Sequence, residues 1–345
     1  MPVSVVVGGQ YGSEGKGKVA QHLARERQAA AVVRVGGSNS GHTGVKPSGD
    51  IDVLRHLPTA ALDSDAMCLL AAGSYIDHDV LLAEIERTGL TPERLLIDEN
   101  AFLIVAEDRE AEAASDLGDR IGSTCSGTGA AVARRIARRS PDDLAGASGD
   151  LRPYIGDVSA YLRDCLAHDR HVVVEGTQGF GLSLLHSPHF PKATSRDTTA
   201  AAALAEAGLS PIDVTDVVLV LRAFPIRVAG DSGPFGAEEI DWATIAAEGD
   251  HAEELTEHTS VTQRPRRVAR FDPEIVRRAI AVNRPSTIVL NHVDHIDAGA
   301  RNGALTARSR SFVADVAEWI DRPIDFVGLG PDSLRPMRGG LAVAA

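Results

Sequence analysis

Lysine is nearly missing from this chain: among 35 basic residues only Lys16, Lys18, Lys46 and Lys192 are lysines. Cysteine is also scarce. Cys68, Cys125 and Cys165 are odd in number and unrelated in spacing, with no CxxC pair, which argues against a disulfide framework or a cysteine zinc site. No stretch approaches the ~18 uninterrupted apolar residues of a membrane span, and the start, MPVSVVVGGQYG, carries no basic leader. The expectation is a soluble, cytoplasmic protein with no membrane partner. Positive charge is in deficit as well: a net charge of -13 argues against nucleic acid as a partner, since a phosphate backbone requires surplus Lys and Arg. A single nucleotide needs only local basic groups and stays open.

What is present is a large apolar fraction, 43% over 345 residues, enough for a substantial core. Buried strands are expected at Val3–Val7, Val32–Val35, Val172–Val174, Val217–Leu221 and Thr287–Leu290. Between them, helical periodicity marks Gly17–Arg27, Asp79–Thr88, Thr128–Arg139, Val158–His168 and Pro273–Val282. Strand–helix alternation of this kind predicts an α/β fold, with a mainly parallel central sheet flanked by helices and ligands at the carboxyl ends of the strands. Ser140–Asp150 reads as a surface loop rather than a boundary, so residues 1–345 are expected to form a single domain.

Two glycine-rich segments follow strands. Gly8-Gly9-Gln10-Tyr11-Gly12-Ser13-Glu14-Gly15-Lys16-Gly17-Lys18 opens a helix and holds two of the four lysines. That context suits a phosphate cradle, because several N–H groups, a helix N-terminus and compact ammonium groups converge. Gly12, Gly17 and Lys18 fit the spacing of an ordinary P-loop, but Val19 stands where its magnesium-binding Ser or Thr belongs. The second segment, Gly36-Gly37-Ser38-Asn39-Ser40-Gly41-His42-Thr43, is expected to lie beside the first. Alone it reads more readily as a turn with a structural histidine than as a functional site.

Taken in order, GQYGSEGKGK, GGSNSGHT, IGSTCSGTGAA (Ile121–Ala131), VEGTQG (Val174–Gly179), TSRDTTA (Thr194–Ala200), SGPF (Ser232–Phe235), VTQRPRR (Val261–Arg267) and GLGPD (Gly328–Asp332) resemble the adenylosuccinate synthetase family, in particular its compact archaeal-type members. The resemblance implies a P-loop-related fold and a ligase. Such an enzyme phosphorylates the 6-oxygen of a purine monophosphate, then replaces it with the amine of aspartate. It implies a triphosphate site made of Gly12, Ser13, Glu14, Gly15, Lys16, Gly17, Lys18, Gly41, His42, Thr43, Asn291, Asp294, Gly330 and Pro331. The purine monophosphate would meet Ser13, Asn39, Ser123, Thr124, Arg138, Gln178 and Thr194, with Arg138 supplied across a homodimer interface. Aspartate would be clamped by Thr262, Arg264 and Arg266. The chemistry is expected at Ser13, Lys16, His42 (the acid) and Gln178, and Mg2+ at Ser13 and Gly41.

The sequence departs from the family twice. The family's first loop reads GDEGKGK, and its Asp takes the proton from N1 of the purine. Here Ser13 stands in its place, and a hydroxyl has too high a pKa for that task. Ser13 leaves room for a 2-amino group and offers it an acceptor, which resembles the phage-type PurZ branch that uses dGMP to make the precursor of 2-aminoadenine DNA. A host cytoplasm is then the expected setting. Second, the family's late TKLD segment becomes Asn291-His292-Val293-Asp294, which favours ATP or dATP as the phosphoryl donor without excluding GTP. Three other readings stay open: an ordinary synthetase acting on IMP with GTP, a catalytically dead nucleotide-binding regulator, and a plain P-loop NTPase.

Overall fold

The computed structural model describes residues 2–253, 255–259 and 263–337. Its centre is a ten-stranded sheet: β1 (Val3–Gly8), β2 (Ala31–Arg34), β3 (Met67–Leu70), β4 (Leu95–Asp98), β5 (Ile155–Gly156), β6 (Val172–Glu175), β7 (Val214–Arg222), β8 (Thr287–Asn291), β9 (Phe326–Gly328) and β10 (Leu334–Pro336). The spatial order is β10-β9-β8-β7-β1-β6-β2-β3-β4-β5. Every pairing is parallel except the edge pair of β9 with β10.

The five strands read from sequence form this central region. Val5 sits opposite Val174 on one side and Val217 on the other, so β1 is apolar on both faces. Val3, Val5 and Val7 join the layer of Leu162, Ala203, Ile275 and Val313, while Val6 joins Val19 and Leu23 in the other. Burying one such side chain contributes ~1.5–3 kcal/mol. The helix Lys16–Glu26 therefore covers one face, and Val158–Ala167, Ala200–Ala207, Pro273–Asn283 and Ala307–Trp319 cover the other.

Helix ends follow local chemistry. His78–Thr88 starts where Asp77 accepts a hydrogen bond from Val80 N and stops at Gly89, whose φ of +67° suits glycine. The helix expected at Thr128–Arg139 ends earlier, at Ala137, because Arg138 turns to a φ of +52°. Ser140–Asp150 holds short 3₁₀ turns at Pro141–Asp143 and Ala145–Ala147 and no longer element, as a loop should. Strands β3, β4 and β9, of three or four residues each, and the edge strands β5 and β10 were not among those read from sequence. No helix among the described residues is long and apolar enough to cross a membrane.

Candidate functional site

Parallel strands deliver their carboxyl ends to one edge of the sheet, and the last residue of each central strand breaks the apolar pattern. Arg34 ends β2, Glu175 ends β6, Arg222 ends β7 and Asn291 ends β8, each 0–2% exposed. Register pairs them, Arg34 with Glu175 and Arg222 with Asn291. Burying four such groups is costly unless each is bonded, and their bonds run to the loops above.

Arg222 and Asn291 hold the loop after β1. Arg222 N donates to Gln10 Oε1 at 2.9 Å, its Nη1 donates to the Ser13 carbonyl at 3.0 Å, and Asn291 Nδ2 donates to the Glu14 carbonyl at 2.8 Å. Glu14 pins the loop from within. Its carboxylate accepts from Gln10 N at 3.1 Å, Gly12 N at 2.8 Å and Lys16 Nζ at 2.7 Å. A Cβ on Gly179 would come within 2.4 Å of that carboxylate, so glycine is needed there. Glu14 and Asn291 thus lie beneath the cavity rather than on its wall, because their side chains are consumed in holding the loop.

Arg34 and Glu175 hold His42. Glu175 Oε1 lies 2.5 Å from His42 Nδ1 and accepts from Arg34 Nη1 at 2.9 Å, while Oε2 accepts from Thr59 N at 3.0 Å. An imidazole nitrogen and a carboxylate meet this closely only with a proton between them, so Nδ1 carries it and Nε2 is the free nitrogen. Burial, and then the Arg34 guanidinium that touches the same ring, push the His42 pKa down to about 3. Burial also opposes the charge on Glu175, but His42 and Arg34 outweigh it and hold its carboxyl below the ordinary range. The ring is neutral here. A polyanionic substrate beside Nε2 would favour the imidazolium, with Glu175 ready to stabilise it.

These loops enclose a cavity of about 710 Å³. Gly12, Ser13, Gly15, Lys16, Gly17, Lys18, Asn39, Gly41, His42, Thr43, Ser123, Thr124, Gln178, Thr194, Arg266, Asp294, Gly330 and Pro331 line it, so most residues expected at the site converge. Arg138 and Arg264 do not: both are exposed and contribute nothing to the cavity wall of their own chain. Arg138 instead donates from Nε to the Ile136 carbonyl, and Arg264 N donates to Thr259 Oγ1. Thr262 lies outside the described residues.

The sequence reading missed the buried supports Arg34, Glu175 and Arg222, and also Arg227, Lys192 and Glu257 on the wall. Single polar residues closing apolar strands were the available signal for the supports. Arg227 lies over the Tyr11 ring at 4.5 Å, its pKa lowered to about 10 by burial, and its Nη1 has no partner among the described residues. Backbone strain marks the same place. Ser13, Gln178, Gln263 and His292 all line the cavity with φ between +53° and +58°, a region side chains other than Gly, Asn and Asp seldom occupy.

The wall beyond β8 differs in character. Glu257 accepts from both terminal nitrogens of Arg222 and lies 4.0 Å from His292 Nδ1. Burial and then Arg222 push the His292 pKa well down. Lys18 Nζ donates to the carbonyls of Gly330 at 2.9 Å and Ser333 at 3.3 Å, and burial lowers its pKa to about 8. Lys18 thereby ties the phosphate loop to the segment after β9.

Comparison with known proteins follows the same outline. The sequence matches the family model for adenylosuccinate synthetase over residues 5–145 and 140–301. It is 35% identical over 342 residues to an adenylosuccinate synthetase of Thermococcus onnurineus, covering 96% of this chain and 97% of that one. In structure it resembles the succinoaminodeoxyadenylate synthetase PurZ of cyanophage S-2L, bound to dGMP and to dATP as an energy donor, with a TM-score of 0.82, 29% identity and coverage of 97% and 95%. The fully ligated adenylosuccinate synthetase of Plasmodium falciparum also superposes, with a TM-score of 0.82 over 98% of this chain and 100% of that one; at 18% identity it speaks for the fold.

Proposed function

The chain belongs to the adenylosuccinate synthetase family, and from that premise we propose that it joins dGMP to L-aspartate, giving N6-succino-2-amino-2'-deoxyadenylate for 2-aminoadenine DNA synthesis. As a family member it is a carbon–nitrogen ligase driven by a nucleoside triphosphate, which leaves as the diphosphate and phosphate. The observation that carries the choice of dGMP is Ser13. It holds a left-handed backbone, φ +55°, at the cavity wall, in a loop otherwise intact. Asp or Asn adopts that conformation more readily, so a serine kept there is better explained by what its hydroxyl meets. A 2-amino group next to N1 of guanine is such a partner, and the structurally similar PurZ of cyanophage S-2L is bound to dGMP.

In the first step the guanine 6-oxygen attacks the γ-phosphorus, the bond to the β-phosphate oxygen breaks, and the N1 proton passes to a phosphate oxygen or to water held by Ser13. Lys16 and the loop N–H groups bind and orient the phosphates; neutralised charge and positioning are what phosphoryl transfer requires. In the second step the aspartate amine attacks C6, its C–N bond forms, the C6–O bond breaks, and phosphate leaves with the amine proton lost to solvent or phosphate. His42, oriented by Glu175, stabilises charge at the 6-oxygen. Arg266, which lines the cavity with Thr259, would meet the aspartate carboxylates. Ser13 and Gly41 offer neutral oxygen donors of the kind that Mg2+ accepts, and they would hold it. Bound there, Mg2+ would neutralise phosphate charge. ATP or dATP is the donor proposed, since the Lys of the family's TKLD segment is His292. Arg138, exposed on the surface, is proposed to serve the partner's site in a homodimer.

The higher identity to archaeal synthetases favours a second reading, IMP with GTP. Phosphate release with dGMP, GMP, IMP and dIMP, each with aspartate and ATP or GTP, separates the two. The proposal expects dGMP with ATP to be fastest. A preference for IMP contradicts it, and no turnover with any monophosphate would point to a binding protein.

A further inference from the structure

Apart from the groups given a step in the reaction, the most unusual chemistry is a histidine and carboxylate cluster at the far end of the cavity. Glu257, His292 and His295 each bring one donor atom to within 4.8 Å of the others. The His292 and His295 rings stand 5.2 Å apart, and a third ring, His251, lies 6.4 Å from His295. His295 is 8% exposed, and its Nδ1 has no hydrogen-bond partner among the described residues. Buried polar atoms are seldom left so, and an orphaned imidazole nitrogen beside a second imidazole and a carboxylate points to a missing partner.

We propose that Glu257, His292 and His295 form a binding site for a borderline divalent transition-metal ion such as Zn2+ or Co2+, separate from any magnesium carried by the nucleotide. Two imidazoles and a carboxylate suit such ions, whereas Mg2+ prefers an all-oxygen shell. A four-coordinate centre with bonds of about 2.0–2.2 Å places its donors roughly 3.4 Å apart, so the present spread closes by small side-chain rotations. Arg222 does not use up Glu257. It binds the two carboxylate oxygens side by side, and each keeps a second lone pair, so the guanidinium acts as the support that orients a ligating carboxylate. His251 Nε2 lies 3.2 Å from the His295 carbonyl and steadies the short turn Val293–His295. Three protein donors leave one position open toward the cavity that Lys18, Asp294 and Gly330 share.

The assignment holds whichever purine the enzyme uses, and its test does not depend on turnover. Metal-stripped protein is titrated with Co2+ in the absence of nucleotide, and the visible ligand-field absorption is recorded. One equivalent per chain should produce intense bands of a four- or five-coordinate ion, and Zn2+ should displace them. His292→Ala and His295→Ala should each weaken binding at least tenfold, while His258→Ala, on the same wall, leaves it unchanged. His292 is about a third exposed, so His292→Gln with an unaltered circular dichroism spectrum guards against misfolding. Absence of the bands, or bands of equal affinity in the His292 and His295 variants, would overturn the site.

Discussion

The two ends of the cavity are built on different rules. Around His42 every charged group is paired inside the sheet edge: Arg34 with Glu175, Glu175 with His42, Glu14 with Lys16. At the other end His292 and Glu257 are partly exposed, His295 Nδ1 has no hydrogen-bond partner among the described residues, and histidine stands where the family has lysine. The first end is closed by buried ion pairs whose partners cannot be changed singly, since removing one leaves an uncompensated charge that costs ~3–5 kcal/mol. The second tolerates replacement. The proposed phosphoryl transfer would use the fixed end, and the proposed donor base would lie at the other.

The sharpest way to break that contrast is at the fixed end. His42→Ala should lower kcat by roughly a hundredfold or more with little change in monophosphate affinity, measured by steady-state kinetics and calorimetry. Activity within a few-fold of the parent would remove His42 from the chemistry. Glu175→Ala should be as inactive and also less stable by ~3–5 kcal/mol in urea unfolding, because Arg34 is then buried unpaired. A Glu175→Ala protein of parental stability would mean that the network is not what holds this end together.

Next in size is the proposed aspartate clamp. Arg266 lines the cavity and Arg264 does not, so Arg266→Leu should raise the KM for aspartate about tenfold to a hundredfold, and Arg264→Leu by much less. Equal effects would mean that the loop takes up another arrangement once aspartate binds.

A smaller effect comes from buried histidines on the same scaffold. Burial first, then Arg55, pushes the His56 pKa to about 3, and His56 Nε2 accepts from Asp77 N at 3.0 Å. A folded pKa below the unfolded value of about 6.5 means that the unfolded chain binds more protons as pH falls, so stability is full above pH 6.5 and declines below it. Between pH 6.5 and 5 each such histidine should remove about 2 kcal/mol. His56→Gln should flatten the fall of Tm over this range; an unchanged slope would refute the assignment.

Much of this was legible in the sequence, and the reasons are specific. The strands Val3–Gly8 and Val214–Arg222 announce themselves because both their faces are buried, and the glycine loops because backbone has to approach phosphate. Ser13, Lys16, His42 and Gln178 were placed together through motif order and do meet at one cavity. Glu175 and Arg222 were not foreseen. Their importance lies in pairing across strands more than a hundred residues apart in sequence, which no local pattern encodes. Asn291 and Glu14 were expected on the wall and lie below it, since a sequence names a loop's residues without saying which of them the loop spends on itself.

One serine, held in a loop otherwise unaltered, is proposed to set the purine. The most direct test of that role is the ratio of kcat/KM for dGMP to that for IMP, measured in the parent and in Ser13→Asp. The parental ratio should exceed one, by roughly tenfold to a hundredfold for a hydrogen bond worth ~1–3 kcal/mol, and should fall markedly in the variant. A parent that prefers IMP, or a variant that keeps the parental ratio, would contradict it.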